Sequence, residues 1–427
     1  MTVAVFLASL CGAMLLGVPV AFALLFCGLA LMWHLNMMDA QIVAQNIIGG
    51  SDSFPLLAVP FFILAGELMN AGGLSRRIID VGIAFFGHLK GGLGYVAVAA
   101  AILLASLSGS AIADTAALSA VLLPMMRRAG YPTERSCGLI AAGGIIAPVI
   151  PPSIGFILFG VASGLSITKL FLAGIVPGLL MGLSLIATWW FIARRSEIPV
   201  IERVGAAGRI RALGQAFWAL PLPLIIVFGL KFGVFTPTEA AVVAVVYALL
   251  VGLLVYRTLT FSVIRRALID AARTSAIVMF LIAAASVSAW LITIAELPQI
   301  LVGWVQPFVD RPILLMVILM FIVFLTGTAL DLVPSILILT PILMPVVKEA
   351  GIDPIYFGVL FMMNNAIGLI TPPVGPVLNV AAGVGKVSMD SVIKGVLPFM
   401  LAELVVLALL VAFPSIVTDS MRLLAPR

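Results

Sequence analysis

The chain has 427 residues, 63% of them hydrophobic and only 10% charged, with 23 basic against 18 acidic side chains and two histidines. A mean hydropathy of +1.28 is more than a soluble fold of this size can hide. Soluble enzymes and nucleic-acid binders are excluded, and the net charge of +5 is read as basic loops facing one leaflet.

A helix needs about 20 apolar residues to cross a bilayer, and such runs recur along the whole chain. They are too long and too uniform for the alternating pattern of a barrel. The fold class expected is therefore an all-α polytopic membrane protein. The first apolar run, residues 3–33, has no basic start and is too long for a signal peptide, so it reads as a span. Further spans are expected near 54–72, 136–164, 170–193, 213–231, 236–256, 275–296, 355–384 and 395–413. Residues 74–90 are amphipathic and basic and suit the interface; 298–309 are read the same way on the other side.

Two segments do not fit simple crossing. SLSGSAIADTAALSA (106–120) interrupts 93–126, and FLTGTALDLVPSILILTPILMP (324–345) lies in 312–347. Each has room for a helix in, a polar tip and a helix back, which is a re-entrant hairpin. Irregular backbone at that depth is tolerated only when buried in protein or facing a wet cavity. With the ends of the first hairpin in the cytoplasm, 17 of the 23 basic residues fall on that side and six on the other, as the positive-inside rule requires. The second hairpin then enters from the opposite face.

That opposition matches an internal repeat. SLSGSA (106–111) pairs with FLTGTA (324–329), PMMRRAG (124–130) with PVVKEAG (345–351), VIPPSIG (149–155) with ITPPVG (370–375), and AGIVPG (173–178) with KGVLPF (394–399). The offsets are 218, 221, 221 and 221. Two copies inserted in opposite orientation are a signature of secondary transporters. The expected division is 1–193 for the first repeat (hairpin 93–126, broken helix 136–164), 194–231 for a basic loop and linking span, and 232–427 for the second (hairpin 312–347, broken helix 355–384).

Each half carries a hydroxyl–glycine–hydroxyl tip, Ser108-Gly109-Ser110 or Thr326-Gly327-Thr328, and a double-proline break, Pro151-Pro152 or Pro372-Pro373. Proline removes a backbone donor, so carbonyls around Val149 and Ile370 lose helical partners. Hydroxyls, freed carbonyls and helix C-termini suit a hard cation such as sodium; helix N-termini suit a carboxylate. Asp114 and Asp331 lie just past the tips. They have two readings, support of the site or capping of a helix. Glu67, Glu239, Glu296 and Glu403 fall near span ends and are read as interfacial, and Asn364 and Asn365 as helix–helix bonds. Cys11, Cys27 and Cys137 show no metal or disulfide spacing, and His34 and His88 are too scattered for a relay. No transition-metal site, catalytic set or cofactor is expected. A symmetric ion channel with filter loops and an intramembrane enzyme using an Asp114–Asp331 pair remain as alternatives.

FFILAGELMNAGG (61–73), HLKGGLG (88–94), LSGSAIADTAAL (107–118), GGIIAPVIPPS (143–153), LFLAGIVPG (170–178) and GLITPPVGPVLNVAAG (368–383) resemble the large membrane subunit of tripartite ATP-independent periplasmic (TRAP) transporters. The resemblance runs over essentially the whole chain. It implies an ion-transporter superfamily fold working as an elevator in the bacterial inner membrane. It also implies sodium-coupled import of an organic acid, a soluble periplasmic receptor, and a separate small four-helix membrane subunit. By the same resemblance one sodium site would use Ser108, Gly109 and Ser110 with the backbone near Val149 and Ile150. The other would use Thr326, Gly327 and Thr328 with Ile370 and Thr371. Substrate would lie near Ser110, Ser153, Thr328 and Gly375, with Asn379 as a further ligand. The second break has no counterpart of Ser153. The AIADTAAL segment favours sialic acid or another sugar acid over a four-carbon dicarboxylate.

Overall fold

The computed structural model describes residues 2–196, 198, 200, 202–372 and 374–424. Among them are 21 α-helices and no strand. Seven helical segments are long and apolar enough to cross a bilayer.

The first half begins with α1 (Thr2–Leu15) and α2 (Val20–His34). These were expected as one span at 3–33, but Gly17 turns left-handed at φ +79° and Pro19 caps α2, so the chain reverses. Cys27 Sγ donates to the Phe6 carbonyl at 3.7 Å across the resulting pair. There follow α3 (Ala40–Ser51), α4 (Ala58–Ala71, entered through a 3-10 turn), α5 (Leu74–Phe86), α6 (Gly92–Ser108), α7 (Ala111–Arg128), α8 (Thr133–Gly144), α9 (Ile154–Ser163) and α10 (Ile167–Arg195). Helices α6 and α7 form the first hairpin. Helices α8 and α9 are the halves of the first broken helix.

The second half contains α11 (Ala206–Ala216), α12 (Pro221–Lys231), α13 (Pro237–Leu250), α14 (Phe261–Ile294), α15 (Leu297–Val305), α16 (Pro312–Ala329), α17 (Leu332–Glu349), α18 (Pro354–Gly368), α19 (Pro376–Gly385), α20 (Met389–Ala412) and α21 (Ser415–Leu424). The span expected at 213–231 is instead two helices, α11 and α12, meeting at 52°. Proline at the start of α12 cannot continue α11. The span expected at 275–296 is the second half of α14, whose 34 residues reach about 51 Å.

Helices recur in register between the halves. Helices α7 and α17 start 221 positions apart, as do α8 and α18. Contacts between the halves are reciprocated: α7 packs on α19 as α17 packs on α9, and α4 packs on α13 as α14 packs on α2. The hairpins are rooted at opposite ends of α20. Near its start, Lys394 O accepts from Arg135 Nη1 at 2.9 Å, beside the root of the first hairpin. Near its end, Leu410 O accepts from the Tyr356 hydroxyl at 3.0 Å, beside the root of the second. The two points lie 16 residues, or ~24 Å, apart along the helix.

The α10–α20 pair holds the centre antiparallel. Trp189 is fully buried, and its Nε1 donates to Gly91 O at 2.8 Å, as a buried indole requires. Its ring lies 6.1 Å from Tyr131 and 6.4 Å from Phe399. Glu403, expected at a solvated span end, is fully buried in this pair. Its Oε1 accepts from Ser184 Oγ at 3.1 Å. Glu239 does sit at an exposed helix start, in a capping box with Thr236.

Candidate functional site

The first tip is built as its sequence suggests. Gly109 takes φ +61° and ends α6, and Ser110 starts α7 with its Oγ accepting from Ala113 N at 3.4 Å. Ser108 Oγ donates to Asp114 Oδ1 at 2.5 Å and accepts from Ser110 N at 3.1 Å. Asp114, buried at 2% exposure, therefore ties the first turn of α7 back to the end of α6. Its Oδ2 is buried with no protein partner. The tip lies against the first break: a Cβ on Gly109 would stand 2.8 Å from Pro152 O and 3.2 Å from Ile154 N. Ser153, also fully buried, donates from Oγ to Pro148 O at 2.6 Å and caps α9 by accepting from Phe156 N at 3.3 Å. Within the break, Val149 O lies against Gly174 of α10, and Ile150 packs on Gly178.

The second tip differs. Helix α16 runs through Thr326-Gly327-Thr328, and the chain turns at Leu330-Asp331. Thr326 Oγ1 donates to Val323 O at 2.9 Å and Thr328 Oγ1 to Leu325 O at 2.7 Å, so both threonines bond within the helix rather than break it. Asp331, expected beyond the tip, is the tip itself; its Oδ1 accepts from Leu332 N at 2.8 Å and caps α17. Ser110 and Asp331, the two caps, are 221 positions apart. Gly327 lies where α16 crosses α18. Its Cα has Gly368 for a neighbour, and a Cβ on Gly368 would stand 2.5–2.7 Å from the Gly327 backbone. In the second break Thr371 Oγ1 donates to Ile367 O at 2.8 Å, and Ile370 N donates to Ile367 O at 3.1 Å. Pro373 lies outside the described residues. Asn364 makes the helix–helix bond expected of it, donating to Met320 O of α16; the side-chain atoms of Asn365 are buried without partners.

Both tips open on one cavity of about 420 Å³. Its lining includes Ser108 to Ala113 from the first tip, Asp331 to Val333 from the second, Pro148 and Ile154 from the first break, and Leu369 before the second. Hairpins rooted at opposite ends thus meet tip to tip. Ser110 and Asp331 bring the N-termini of α7 and α17 to the same space. Thr326, Thr328, Val149, Ile150, Ser153, Ile370, Thr371 and Gly375 are not among the residues that line it, and Asn379 is exposed and donates to Val374 O at 3.1 Å. The opposite wall comes from α4 and α14, with Glu67, Asn70 and Thr274. Sequence reasoning missed these three. Glu67 was read as interfacial, but it recurs with Ile63 and Asn70 at helical spacing, which puts all three on one face of α4.

A helical membrane protein with two hairpins meeting over a half-open, hydroxyl-bearing cavity has the architecture of a membrane transporter. A solved structure, that of the YdaH transporter of Alcanivorax borkumensis, described as having an unusual topology, shares the fold with a TM-score of 0.62 at 14% identity, over 88% of this chain and 89% of that one. Residues 7–416 match the family described as the tripartite ATP-independent periplasmic transporter, DctM component. The 2,3-diketo-L-gulonate TRAP transporter large permease protein of Escherichia coli is 55% identical over 98% of both chains. The sialic acid TRAP transporter large permease protein of Vibrio cholerae is 38% identical over 94% of both. The chain belongs to the TRAP transporter large permease family. It is a multi-pass inner-membrane protein whose relatives are permeases rather than enzymes.

Proposed function

We propose that this chain is the sodium-coupled, substrate-translocating subunit of a TRAP importer for a sugar-acid anion. The observation that carries this reading is the shared cavity between two hairpin tips rooted at opposite ends of α20. Opposite rooting is the arrangement of an inverted repeat, in which a substrate site sits near the midplane between the copies.

Helix N-termini present unpaired N–H groups and partial positive charge. The starts of α7 and α17 supply these to the substrate carboxylate. Sodium takes oxygen ligands behind the tips. In the first half these come from Ser108, Gly109 and Ser110 with the Val149–Ile150 backbone, and the unpartnered Asp114 Oδ2 fits a cation. In the second half they come from Thr326, Gly327 and Thr328 with Ile370 and Thr371; each threonine hydroxyl spends its hydrogen on a helix carbonyl and keeps lone pairs for a cation. Hairpins and broken helices move as a unit past the α4–α14 wall, in elevator fashion. A periplasmic receptor delivers the substrate, and a small membrane subunit braces the static part, as the family implies. The relative at 55% identity is named for 2,3-diketo-L-gulonate, which supports a sugar acid over a four-carbon dicarboxylate.

Each net positive charge moving inward gains about 2.3 kcal/mol per 100 mV, so two sodium ions with a monoanion make uptake electrogenic. The test is uptake into proteoliposomes holding both membrane subunits, with receptor outside. Replacing sodium by potassium abolishes uptake, and Ser108→Ala and Thr326→Ala raise the sodium concentration for half-activation. Undiminished uptake in potassium removes sodium from the account; single-channel currents in place of coupled uptake support the channel alternative.

A further inference from the structure

Away from the tips, a second cavity of about 560 Å³ opens between the α5–α6 corner and the end of α10. Its walls are apolar, with Leu89, Ala99, Ile186 and Trp190, and two cations, Lys90 and Arg194, stand on it. The geometry holds both at one rim. Lys90 Nζ donates to Arg194 O at 3.1 Å, and the Arg194 guanidinium lies 4.0 Å over the Trp190 ring. Among the described residues neither cation pairs with a carboxylate; the one ion pair there joins Arg422 and Asp419.

The slot sits at headgroup depth. Trp190 and Phe191, 40% and 60% exposed, precede Arg194 and Arg195, the aromatic-then-basic order of a membrane interface. The root of the first hairpin gathers further cations, Arg127 bonding Gly385 O and Arg135 bonding Lys394 O. That surplus marks the cytoplasmic side, where the leaflet carries anionic lipid.

We propose that this slot binds an anionic phospholipid, its phosphate between Lys90 and Arg194 and an acyl chain along Ala99 and Ile186. The apolar walls suit a chain that water cannot fill, and the volume falls within the ~300–1,000 Å³ of small-molecule sites. The occupant joins α6, an arm of the first hairpin, to the end of α10.

The test is native mass spectrometry of the full-length chain with its small subunit, offered equimolar dioleoylphosphatidylglycerol and dioleoylphosphatidylcholine. The wild type retains phosphatidylglycerol in preference, and Lys90→Gln with Arg194→Gln lowers that preference about tenfold. Ala99→Trp, which fills the wall and keeps both charges, loses the adduct as well. Lys90→Arg with Arg194→Lys keeps it and reports intact folding. Equal retention of the two lipids by the wild type, an undiminished adduct in both slot variants, or displacement of the lipid by inorganic phosphate overturns the proposal.

Discussion

Gly109→Ala and Gly327→Ala are equivalent changes in the sequence repeat and unequal ones in the structure. Gly109 holds φ +61°, a conformation that costs an L-residue about 1–2 kcal/mol. Its added Cβ would also stand 2.8 Å from the Pro152 carbonyl, where ordinary contact begins at 3.4 Å, so the tip must retreat by roughly 0.6 Å from the break it packs against. Gly327 is helical, and its added Cβ meets nothing closer than 3.3 Å, at Asn365 O. If the tip-to-break contact sets sodium affinity, the strain alone raises the sodium requirement of Gly109→Ala about 5- to 30-fold, at 1.4 kcal/mol per decade. Gly327→Ala changes it by less than about threefold, since a few tenths of an ångström of adjustment costs little. Sodium titration of uptake in proteoliposomes, with protein amount normalised, reads the difference. Equal effects at the two glycines, or an unaltered titration for Gly109→Ala, refute the reasoning.

Gly368→Ala places a methyl 2.5–2.7 Å from the Gly327 backbone, which cannot yield as a side chain would; it should lower the melting temperature far more than Gly327→Ala, as detergent-solubilised thermal unfolding will report. Ser153→Ala removes a cap and leaves Pro148 O without its donor, which should cost about 1–2 kcal/mol of stability. A melting temperature unchanged in Ser153→Ala would show that the hydroxyl supports nothing in the fold.

Much of the architecture was legible. Composition alone specified helices, and at the first tip glycine between two serines marks a break that the backbone makes at that residue. The second tip misled because threonine looks like its serine counterpart yet bonds back to carbonyls three and four residues earlier, letting the helix continue. The signal was present in the offsets. Three motif pairs stood 221 apart and the tips 218; adding 221 to Ser110 gives Asp331, the residue that does cap the next helix. In the N-terminal run, Gly17 and Pro19 are the breakers, set in an otherwise apolar stretch whose length alone reads as a single span. The wall with Glu67, Asn70 and Thr274 could not be read locally, because it exists only where α4 and α14 pass the tips. Glu403 was misplaced for a related reason: a carboxylate near a span end is interfacial unless another helix covers it, and α10 covers this one.

The most direct measurement of the central claim is equilibrium binding of radiolabelled sodium to the purified two-subunit membrane complex. The account predicts saturable binding that potassium does not displace, and that falls in Ser108→Ala and in Thr326→Ala. Absence of saturable sodium binding, or binding left intact when both residues are changed together, would contradict it.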